Sequence, residues 1–326
     1  MGYSIVPESF NSLEKAWREL LAACAANHIF LTPQWQRAWW QAFGNGRELL
    51  LLSVKRDTEL IGIVPLMRQD ESISFIGSSD VCDYMDFIAR RGQEATVFSQ
   101  ILDYLEPMVW NAIDLRSLLP HSLVLSHFAV LAKQRDYLVE VTKEDVSPQL
   151  FLPSSWEKYL SQLERKDRHE LRRKLRRFDR VTSTRFYTIA EREHLRQALE
   201  GFFELFEISG GDKAGFMTDQ RRGFFEAMVH SLAEEGYIRL FFLEMGGTRV
   251  ASTLCFDYEN ELYLYNSGYN PEYASFSVGL ILKVFCLREG IFEGKKRFDF
   301  LRGAESYKYD LGGQDVPIYR CVISRS

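Results

Sequence analysis

Residues 240–254 read LFFLEMGGTRVASTL, two apolar runs separated by the pair Gly246-Gly247. Two such runs joined by a Gly-Gly pair are typical of antiparallel strands with a two-residue turn. A tyrosine-rich run follows at residues 261–268, and an apolar segment at residues 278–289 is long enough for a helix. A hairpin followed by strand, helix and strand predicts a mixed sheet with helices on its faces.

The N-terminal half of the chain repeats this order. Residues 49–66 read LLLLSVKRDTELIGIVPL, again strand, charged turn and strand, and are followed by a strand at 73–76 and a helix at 94–105. Both copies end in a strand that carries an aspartate, Asp114 in the first and Asp299 in the second. The spacing agrees, because Gly62 precedes Asp114 by 52 residues and Ala251 precedes Asp299 by 48. We predict an α/β fold of two tandem copies, with domains at 1–150 and 151–326.

The composition excludes several classes of protein. The 326 residues are 46% hydrophobic and 26% charged, with a net charge of −5, which excludes disordered, collagen-like and coiled-coil chains. The five cysteines are far apart and form no C-x-x-C pair, so we expect reduced thiols. No run approaches the ~18 apolar residues of a membrane span, and the start of the chain lacks the pattern of a signal peptide. We therefore expect a cytoplasmic protein without a transmembrane segment.

Common catalytic motifs are missing from the sequence. It contains no G-x-x-x-x-G-K-S/T, no H-E-x-x-H, no G-x-S-x-G and no EF-hand loop. The six histidines are scattered without the spacing of metal ligands. No metal site is expected.

Several short stretches together resemble one family of enzymes. They are Leu31-Thr-Pro-x-Trp35, Gly62-Ile-Val-Pro-Leu66, Asp83-Tyr-x-Asp86, Leu152-Pro-x-x-Trp156, Arg168-His-Glu-Leu-Arg-Arg173, Tyr265-Asn-Ser-Gly-Tyr269 and Asp299-Phe-Leu-Arg-Gly-x-Glu-x-Tyr-Lys308. With a predicted helical pair at 191–209 and 218–235 before the second hairpin, the chain resembles GNAT-superfamily acyltransferases. Within them it is similar to the Fem-like group, in particular the CelD-like branch associated with cellulose biosynthesis. The resemblance implies two tandem GNAT-like mixed-sheet units that transfer an acyl or aminoacyl group to an amine.

The resemblance also implies where the acyl donor binds. In GNAT folds the pantetheine of coenzyme A lies beside a strand that separates from its neighbour, and the pyrophosphate lies on the amides that begin the next helix. The candidate cofactor-binding residues here are Asn266, Ser267, Ser277 and Gly279, with acetyl-CoA as the donor. The family's Q/R-x-x-G-x-G/A loop is only partly kept, because Ala274 and Ser277 replace its first two defining residues. The alternative is an ordinary serine N-cap on a buried helix.

The densest polar cluster follows the last predicted strand, at residues 297–301. Acyl transfer to an amine needs a base, a donor to the oxyanion and an acid for the leaving group. Glu305 suits the base, Arg302 or Lys308 the oxyanion donor, and Tyr307 the acid, a role the resemblance also implies for a tyrosine here. The alternative is a salt-bridged structural turn.

Two further groups of residues are candidates for substrate binding. Asp83, Tyr84 and Asp86 offer two carboxylates to a cationic or hydroxylated acceptor, or instead cap a helix. Residues 164–180 hold nine basic and four acidic residues, a formal charge of +5, on a predicted amphipathic helix with an apolar stripe. Its arginines, Arg172 and Arg176 among them, suit tRNA, anionic lipid or a phosphorylated acceptor, or form a solvated surface.

The leading hypothesis is an acetyl-CoA-dependent N-acyltransferase that modifies an amino group of a sugar or cell-envelope precursor. In this hypothesis the first domain is a degenerate copy on the acceptor side, and the second holds the donor. An aminoacyl-tRNA-dependent ligase and a non-catalytic accessory protein of exopolysaccharide synthesis are the alternatives.

Overall fold

The computed structural model describes residues 2–210 and 213–325. The strands are β1 (Tyr3–Pro7), β2 (Glu48–Arg56), β3 (Glu59–Gln69), β4 (Ser72–Phe75), β5 (Ile88–Ala89), β6 (Ala112–Leu118), β7 (Leu138–Phe151), β8 (Thr184–Ile189), β9 (Ile238–Met245), β10 (Thr248–Tyr258), β11 (Glu261–Tyr269), β12 (Arg297–Asp299) and β13 (Gln314–Ser324). The α-helices are α1 (Phe10–Ala22), α2 (Pro33–Phe43), α3 (Glu94–Leu105), α4 (Ala129–Gln134), α5 (Trp156–Gln162), α6 (Arg165–Phe178), α7 (Arg192–Ile208), α8 (Lys213–Phe216), α9 (Asp219–Ala233), α10 (Val278–Phe292) and α11 (Ser306–Asp310). Short 3₁₀ segments occupy Ile29–Leu31 and Pro271–Phe276, and a π-helical turn at Val124–Phe128 leads into α4.

The chain divides into two compact units. Unit 1 comprises residues up to 145 together with the C-terminal residues from 316, and unit 2 comprises residues 146–315. The expected domains, 1–150 and 151–326, differ from these units at both ends of the second one. The larger difference is at the C-terminus, where β13 pairs with β6 of unit 1.

Both units have the same order of strands, which confirms the predicted tandem α/β fold. The sheet order is β1-β2-β3-β4-β6-β13 in unit 1 and β8-β9-β10-β11-β12-β7 in unit 2. Each contains the predicted hairpin, β2–β3 in the first and β9–β10 in the second. The second hairpin turns at Gly246 and Gly247, with φ of 58° and 82°, left-handed values that suit glycine in a two-residue turn.

The last strand of each sheet comes from a distant part of the chain. β13, at the C-terminus, closes the unit 1 sheet beside β6, and the final residues of β7 pair with β12 in unit 2. This pairing spans more than 200 residues between Asp114 and Val322. Sequence patterns report local structure, so they did not reveal this connection.

β10 and β11, in the middle of the unit 2 sheet, are covered by helices on both faces. α10 reads VGLILKVFCLREGIF, apolar on nearly every side, and is buried against β9, β10 and β11. α7 packs on β10 and β11 from the other face. Gly268 permits that approach, because a Cβ there would lie 2.4 Å from the Phe206 nitrogen of α7.

The five cysteines are buried free thiols. Across residues 2–210 and 213–325, no helix is both long enough and apolar enough to cross a membrane. The same residues contain no cluster of three or more histidine, cysteine or acidic side chains that could hold a metal ion.

Candidate functional site

Two neighbouring strands of unit 2 separate in the middle of the sheet. β11 and β12 run parallel for only three residue pairs, the last of which joins Tyr263 to Asp299. β11 then continues to Tyr269, whereas the chain after β12 follows β7, with the Phe300 N–H donating to the Pro148 carbonyl at 3.0 Å. The predicted strand at 297–301 is therefore two residues shorter in the structure, and a gap opens beside β11.

This part of β11 is reached by solvent although the strand is central. Leu262, Tyr263, Leu264 and Gly268 are buried, whereas Tyr265, Asn266 and Ser267 are partly exposed. A register shift opposite Leu254 and Cys255 leaves Tyr265 as a bulge residue. Two of the predicted cofactor-binding residues, Asn266 and Ser267, thus lie at the gap.

Tyr265 was not predicted as a site residue. Its ring packs 5.4 Å from Phe225 and 4.9 Å from Phe256, on the α7 side of the sheet, and it is the residue at which the strand bulges. Its signal in the sequence is weak, because a bulge adds one residue to a strand and leaves its composition unchanged.

The helix after β11 begins at Ser277 without a side-chain cap. Ser277 has φ 57° and ψ 36°, a left-handed conformation, and its hydroxyl makes no capping hydrogen bond in the part of the chain that the structure describes. The ordinary serine N-cap is therefore not what forms. The first amides of α10, including that of Gly279, point out of the helix with no carbonyl partner within it, as at every helix start. A Cβ at Gly279 would lie 3.2 Å from the ring of Tyr269, so the glycine lets that ring approach.

The basic helix lies beside this helix start. The predicted amphipathic helix is confirmed as α6, in which Leu171 and Phe178 are buried. The preceding helix, α5, ends at Gln162 and is separate from it. The Arg177 guanidinium lies 5.8 Å from the ring centroid of Phe276, the residue before Ser277. Lys166, Lys174 and Leu280 line a cavity of about 170 Å³ between α6 and the first turn of α10, together with Asp167, Glu170, Leu171, Asp310 and Leu311.

The outer face of α6 carries arginines that make no ion pair. Arg172 and Arg176 are exposed and have no acidic partner among residues 2–210 and 213–325. On the neighbouring face, Arg173 donates two hydrogen bonds of 2.7 Å to Glu170, and this contact lowers the pKa of Glu170 to about 2. The exposed face is consequently the cationic one.

Lys308 does not occupy the position predicted for it. The sequence suggested an oxyanion donor, but the Lys308 side chain is 2% exposed and all of its donors are engaged. Its ammonium donates to the carbonyls of Leu301, Arg302 and Gly303 at 2.9, 2.7 and 3.0 Å and pairs with Glu305 Oε2 at 2.9 Å. Such a group has no hydrogen left for a ligand.

Of the other three predicted catalytic residues, Glu305 and Arg302 keep side chains that solvent reaches, whereas the Tyr307 phenol is largely buried. Glu305 is 57% exposed at its side chain, and Arg302 is partly exposed. Burial raises the pKa of the Tyr307 phenol well above its usual value, and the nearby Glu305 and Cys255 add to the rise. The raised pKa keeps the phenol protonated at neutral pH, and it also makes the phenol a weaker acid than an ordinary tyrosine.

Sequence reasoning also missed Lys283, a buried lysine in the apolar α10. Its ammonium donates to the Gly279 carbonyl at 3.3 Å and lies 4.8 Å from the ring centroid of Tyr307. A single lysine inside the run LILKVFCL was the signal that the sequence offered.

Two residues of the predicted acceptor loop are structural. Tyr84 is 1% exposed, and its ring meets those of His28 and Phe30 edge-on at 5.7 Å. Asp86 is 2% exposed and accepts the N–H groups of Leu123 at 2.7 Å and Val124 at 3.2 Å, where the π-helical turn begins. Burial raises the pKa of Asp86 to about 7, while these backbone donors oppose the rise. The helix-capping alternative is correct for Asp86, and Asp83 alone of the three is partly exposed.

The same loop lies at the equivalent position of unit 1, beside the end of β6, where the Met85 N–H donates to the Ser117 carbonyl at 2.9 Å. β4 and β6 also pair for three residues and end at Asp114, as β11 and β12 end at Asp299. There, however, β4 and β5 pair with successive parts of β3, and residues 76–87 are inserted between them. Tyr84, Met85 and Phe87 of this insertion are buried. Unit 2 keeps one continuous strand at the same position.

The geometry of unit 2 agrees with comparisons to known proteins. The acetyltransferase (GNAT) domain family matches residues 165–309, from the start of α6 to α11. The fold is a tandem GNAT-like fold. FemX superposes with a TM-score of 0.65 at 12% identity over 97% of this chain and 96% of its own. No curated protein sequence is significantly similar.

Two other structures have the same fold over nearly the whole chain. One is the C-terminal domain of a putative lysylphosphatidylglycerol synthetase from Agrobacterium fabrum, with a TM-score of 0.59 and 11% identity over 96% of this chain and 92% of that one. The other is a tandem GNAT protein from the clavulanic acid biosynthesis pathway, with a TM-score of 0.50 and 12% identity over 98% of both chains. At these identities the likeness concerns the fold alone.

Proposed function

We propose that this chain is an N-acyltransferase that binds the acyl thioester of coenzyme A in unit 2. The observation that carries the proposal is the separation of β11 from β12, which leaves Asn266 and Ser267 accessible and leads to the uncapped start of α10 at Ser277. An extended pantetheine fits beside a strand edge, and phosphates fit a helix N-terminus. Unit 1 offers no such gap within its described residues, because residues 76–87 fill it.

The residues after β12 suit the chemistry of the transfer. The acceptor amine attacks the thioester carbonyl carbon, the carbon–sulfur bond breaks, and the thiolate leaves. Glu305, exposed at the loop, accepts the proton that the attacking amine loses. Tyr307, which is protonated at neutral pH, donates a proton to the thiolate, and Arg302 stabilises the negative oxygen of the intermediate.

The acceptor side of the proposal rests on the family resemblance. We propose a sugar or cell-envelope amine as the acceptor and an acetyl group as the acyl chain. We also propose that the chain is similar to the CelD-like branch and that it is located in the cytoplasm.

A matched pair of substitutions at Ser277 tests the donor site. Aspartate and asparagine both tolerate the left-handed conformation that Ser277 adopts, so neither should disturb the start of α10. Aspartate adds a negative charge beside the proposed phosphates, and we expect Ser277→Asp to weaken coenzyme A binding by about tenfold or more. Ser277→Asn should change it by no more than about threefold. Titration calorimetry with coenzyme A measures both, and equal affinities in the two variants contradict the proposed site.

The exposed arginines of α6 favour a second candidate, an aminoacyl-tRNA donor. Arg165, Arg172 and Arg176 are all exposed and lie at helical spacing over about 17 Å of α6. A row of unpaired arginines suits a phosphodiester backbone.

The double variant Arg172→Glu/Arg176→Glu separates the two donors. It should leave coenzyme A binding unchanged under the first proposal, and it should abolish transfer from aminoacyl-tRNA under the second. If the wild-type chain binds neither donor, the non-catalytic accessory role is the explanation that remains.

A further inference from the structure

The Lys308 ammonium is enclosed by oxygen atoms of one short loop. It lies 2.9, 2.7 and 3.0 Å from the carbonyl oxygens of Leu301, Arg302 and Gly303 and 2.9 Å from Glu305 Oε2. We call these four oxygens the carbonyl cage. The side chain of Lys308 is 2% exposed, so these four oxygens replace almost all of the water that would otherwise surround its ammonium.

Two residues of this loop have a left-handed backbone, and its carbonyls converge on the Lys308 ammonium. Leu301 has φ 59° and Gly303 has φ 108°, and together they turn successive carbonyls toward one point. A left-handed leucine costs roughly 1–2 kcal/mol relative to the right-handed form. Three carbonyl dipoles that converge also repel one another unless a positive charge lies between them. The Asp299 carboxylate fixes the start of the loop by accepting the Leu301 N–H at 2.8 Å.

The same ammonium fixes the carboxylate proposed as the base. Glu305 lies across Gly303 so closely that a Cβ at Gly303 would be 2.5 Å from Oε2. Oε2 pairs with Lys308, while the side chain as a whole stays 57% exposed. One oxygen of Glu305 is therefore anchored to the loop that leaves β12 where the gap opens.

We propose that Lys308 is a positioning residue that holds residues 301–303 and the Glu305 carboxylate in place at the donor gap. It acts through the loop and through Glu305, and it touches neither donor nor acceptor. This inference deepens the proposed acyltransferase function and rests on it for the identity of the donor. It also makes a prediction that depends on no substrate: the cage should accept another small cation if the lysine side chain is removed.

The test uses Lys308→Ala with added ammonium. The oxygen distances of 2.7–3.0 Å suit an ammonium ion, whereas tetramethylammonium is too large for the space that the lysine leaves. We expect Lys308→Ala to bind coenzyme A about tenfold more weakly than the wild type, and ammonium chloride to recover most of that affinity. Tetramethylammonium chloride at the same ionic strength should recover none.

Lys295→Ala is the matched control. Lys295 is also a lysine with a largely buried side chain, 13% exposed, and it donates to both Asp257 carboxylate oxygens at 2.6 and 2.7 Å. It precedes β12, whereas the carbonyl cage follows β12. Its removal should lower the melting temperature without changing coenzyme A affinity and without a specific response to ammonium.

Hydrogen exchange of residues 301–305 gives a second measurement that needs no ligand. In Lys308→Ala these amides should exchange faster, and ammonium, but not tetramethylammonium, should slow them again. If Lys308→Ala refolds only with ammonium present, the cage is supported as well.

Unchanged exchange in the variant, or equal recovery with both salts, overturns the positioning role. Failure of the wild type to bind coenzyme A overturns the proposed donor, and the exchange result still decides on the cage.

Discussion

The two aspartates that mark the repeat should differ widely in what they contribute to stability. Asp299 is fully buried and accepts hydrogen bonds from the Ser147 hydroxyl at 3.3 Å, the Gln149 amide at 3.0 Å and the Leu301 N–H at 2.8 Å. Asp299→Ala leaves these donors inside the sheet without that acceptor. A buried donor that loses its partner costs about 1–3 kcal/mol, and three donors lose theirs here. We therefore expect unit 2 to lose roughly 3–5 kcal/mol.

Asp114 occupies the equivalent position in unit 1 with partners that solvent reaches. It pairs with Arg320 at 2.7 Å and Arg116 at 2.9 Å, and the two arginine side chains are 37% and 44% exposed. Exposed ion pairs of this kind contribute about 0–1 kcal/mol each. Asp114→Ala should therefore cost unit 1 only about 1 kcal/mol.

Native-state hydrogen exchange measures the two costs separately, because the strands of each unit report on that unit. Asp299→Ala should accelerate exchange in β11 by a factor of about 10² or more, and Asp114→Ala should accelerate exchange in β4 by about tenfold or less. Asp299→Asn, which keeps one oxygen acceptor, should lie between these limits. If the two alanine variants accelerate exchange equally, burial of the Asp299 network does not stabilise unit 2 as argued.

Two further predictions concern single buried contacts. The folded pKa of Asp86, about 7, is above the ordinary value of 3.8, so the folded state binds the extra proton between these values. The wild type should therefore lose up to about 4 kcal/mol of unfolding free energy relative to Asp86→Asn as the pH rises from 4 to 8, measured by denaturant titration; a gain over this range would contradict it. Gly268→Ala should lower the melting temperature, at a cost of about 1–3 kcal/mol, because its Cβ would lie 2.5 Å from the Leu205 carbonyl of α7. Gly223→Ala in α9, where a Cβ meets nothing within 4 Å, should instead raise the melting temperature, through a gain of up to about 1 kcal/mol in the free energy of unfolding.

The repeat and its elements were predictable because each element depends on residues that are close together in the sequence. The Gly246-Gly247 turn, the helix at 94–105 and the basic amphipathic helix all form from residues close together in the chain. Their signals are a turn pair, an apolar period and a charge pattern, and none needs a distant partner. The order from the hairpin to the strand with the aspartate follows from these elements in sequence, whereas the places of β7 and β13 depend on distant pairing.

The roles of single polar residues were less predictable because burial decides them. Lys308 and Glu305 are neighbours in one short motif, yet one is enclosed and the other exposed. Asp83 and Asp86 differ in the same way, and only Asp86 caps a helical turn. A motif gives the residue types, and it does not tell which of them the fold buries.

The difference between the copies explains why a donor site is proposed in only one of them. Both sheets separate after three parallel pairs, and both carry an aspartate at that point, so the separation itself is common to the repeat. What differs is the strand beside it: unit 2 has a single bulge at Tyr265, whereas unit 1 has the insertion 76–87 with Tyr84 and Phe87 buried. A single bulge re-aims a few side chains and keeps the strand, whereas twelve inserted residues occupy the space that a ligand would need. At the same position unit 2 keeps Asn266 and Ser267 partly exposed beside the three-pair contact of β11 with β12. This exposure, together with the uncapped start of α10 at Ser277, is the reason that the donor is proposed in unit 2 rather than in unit 1.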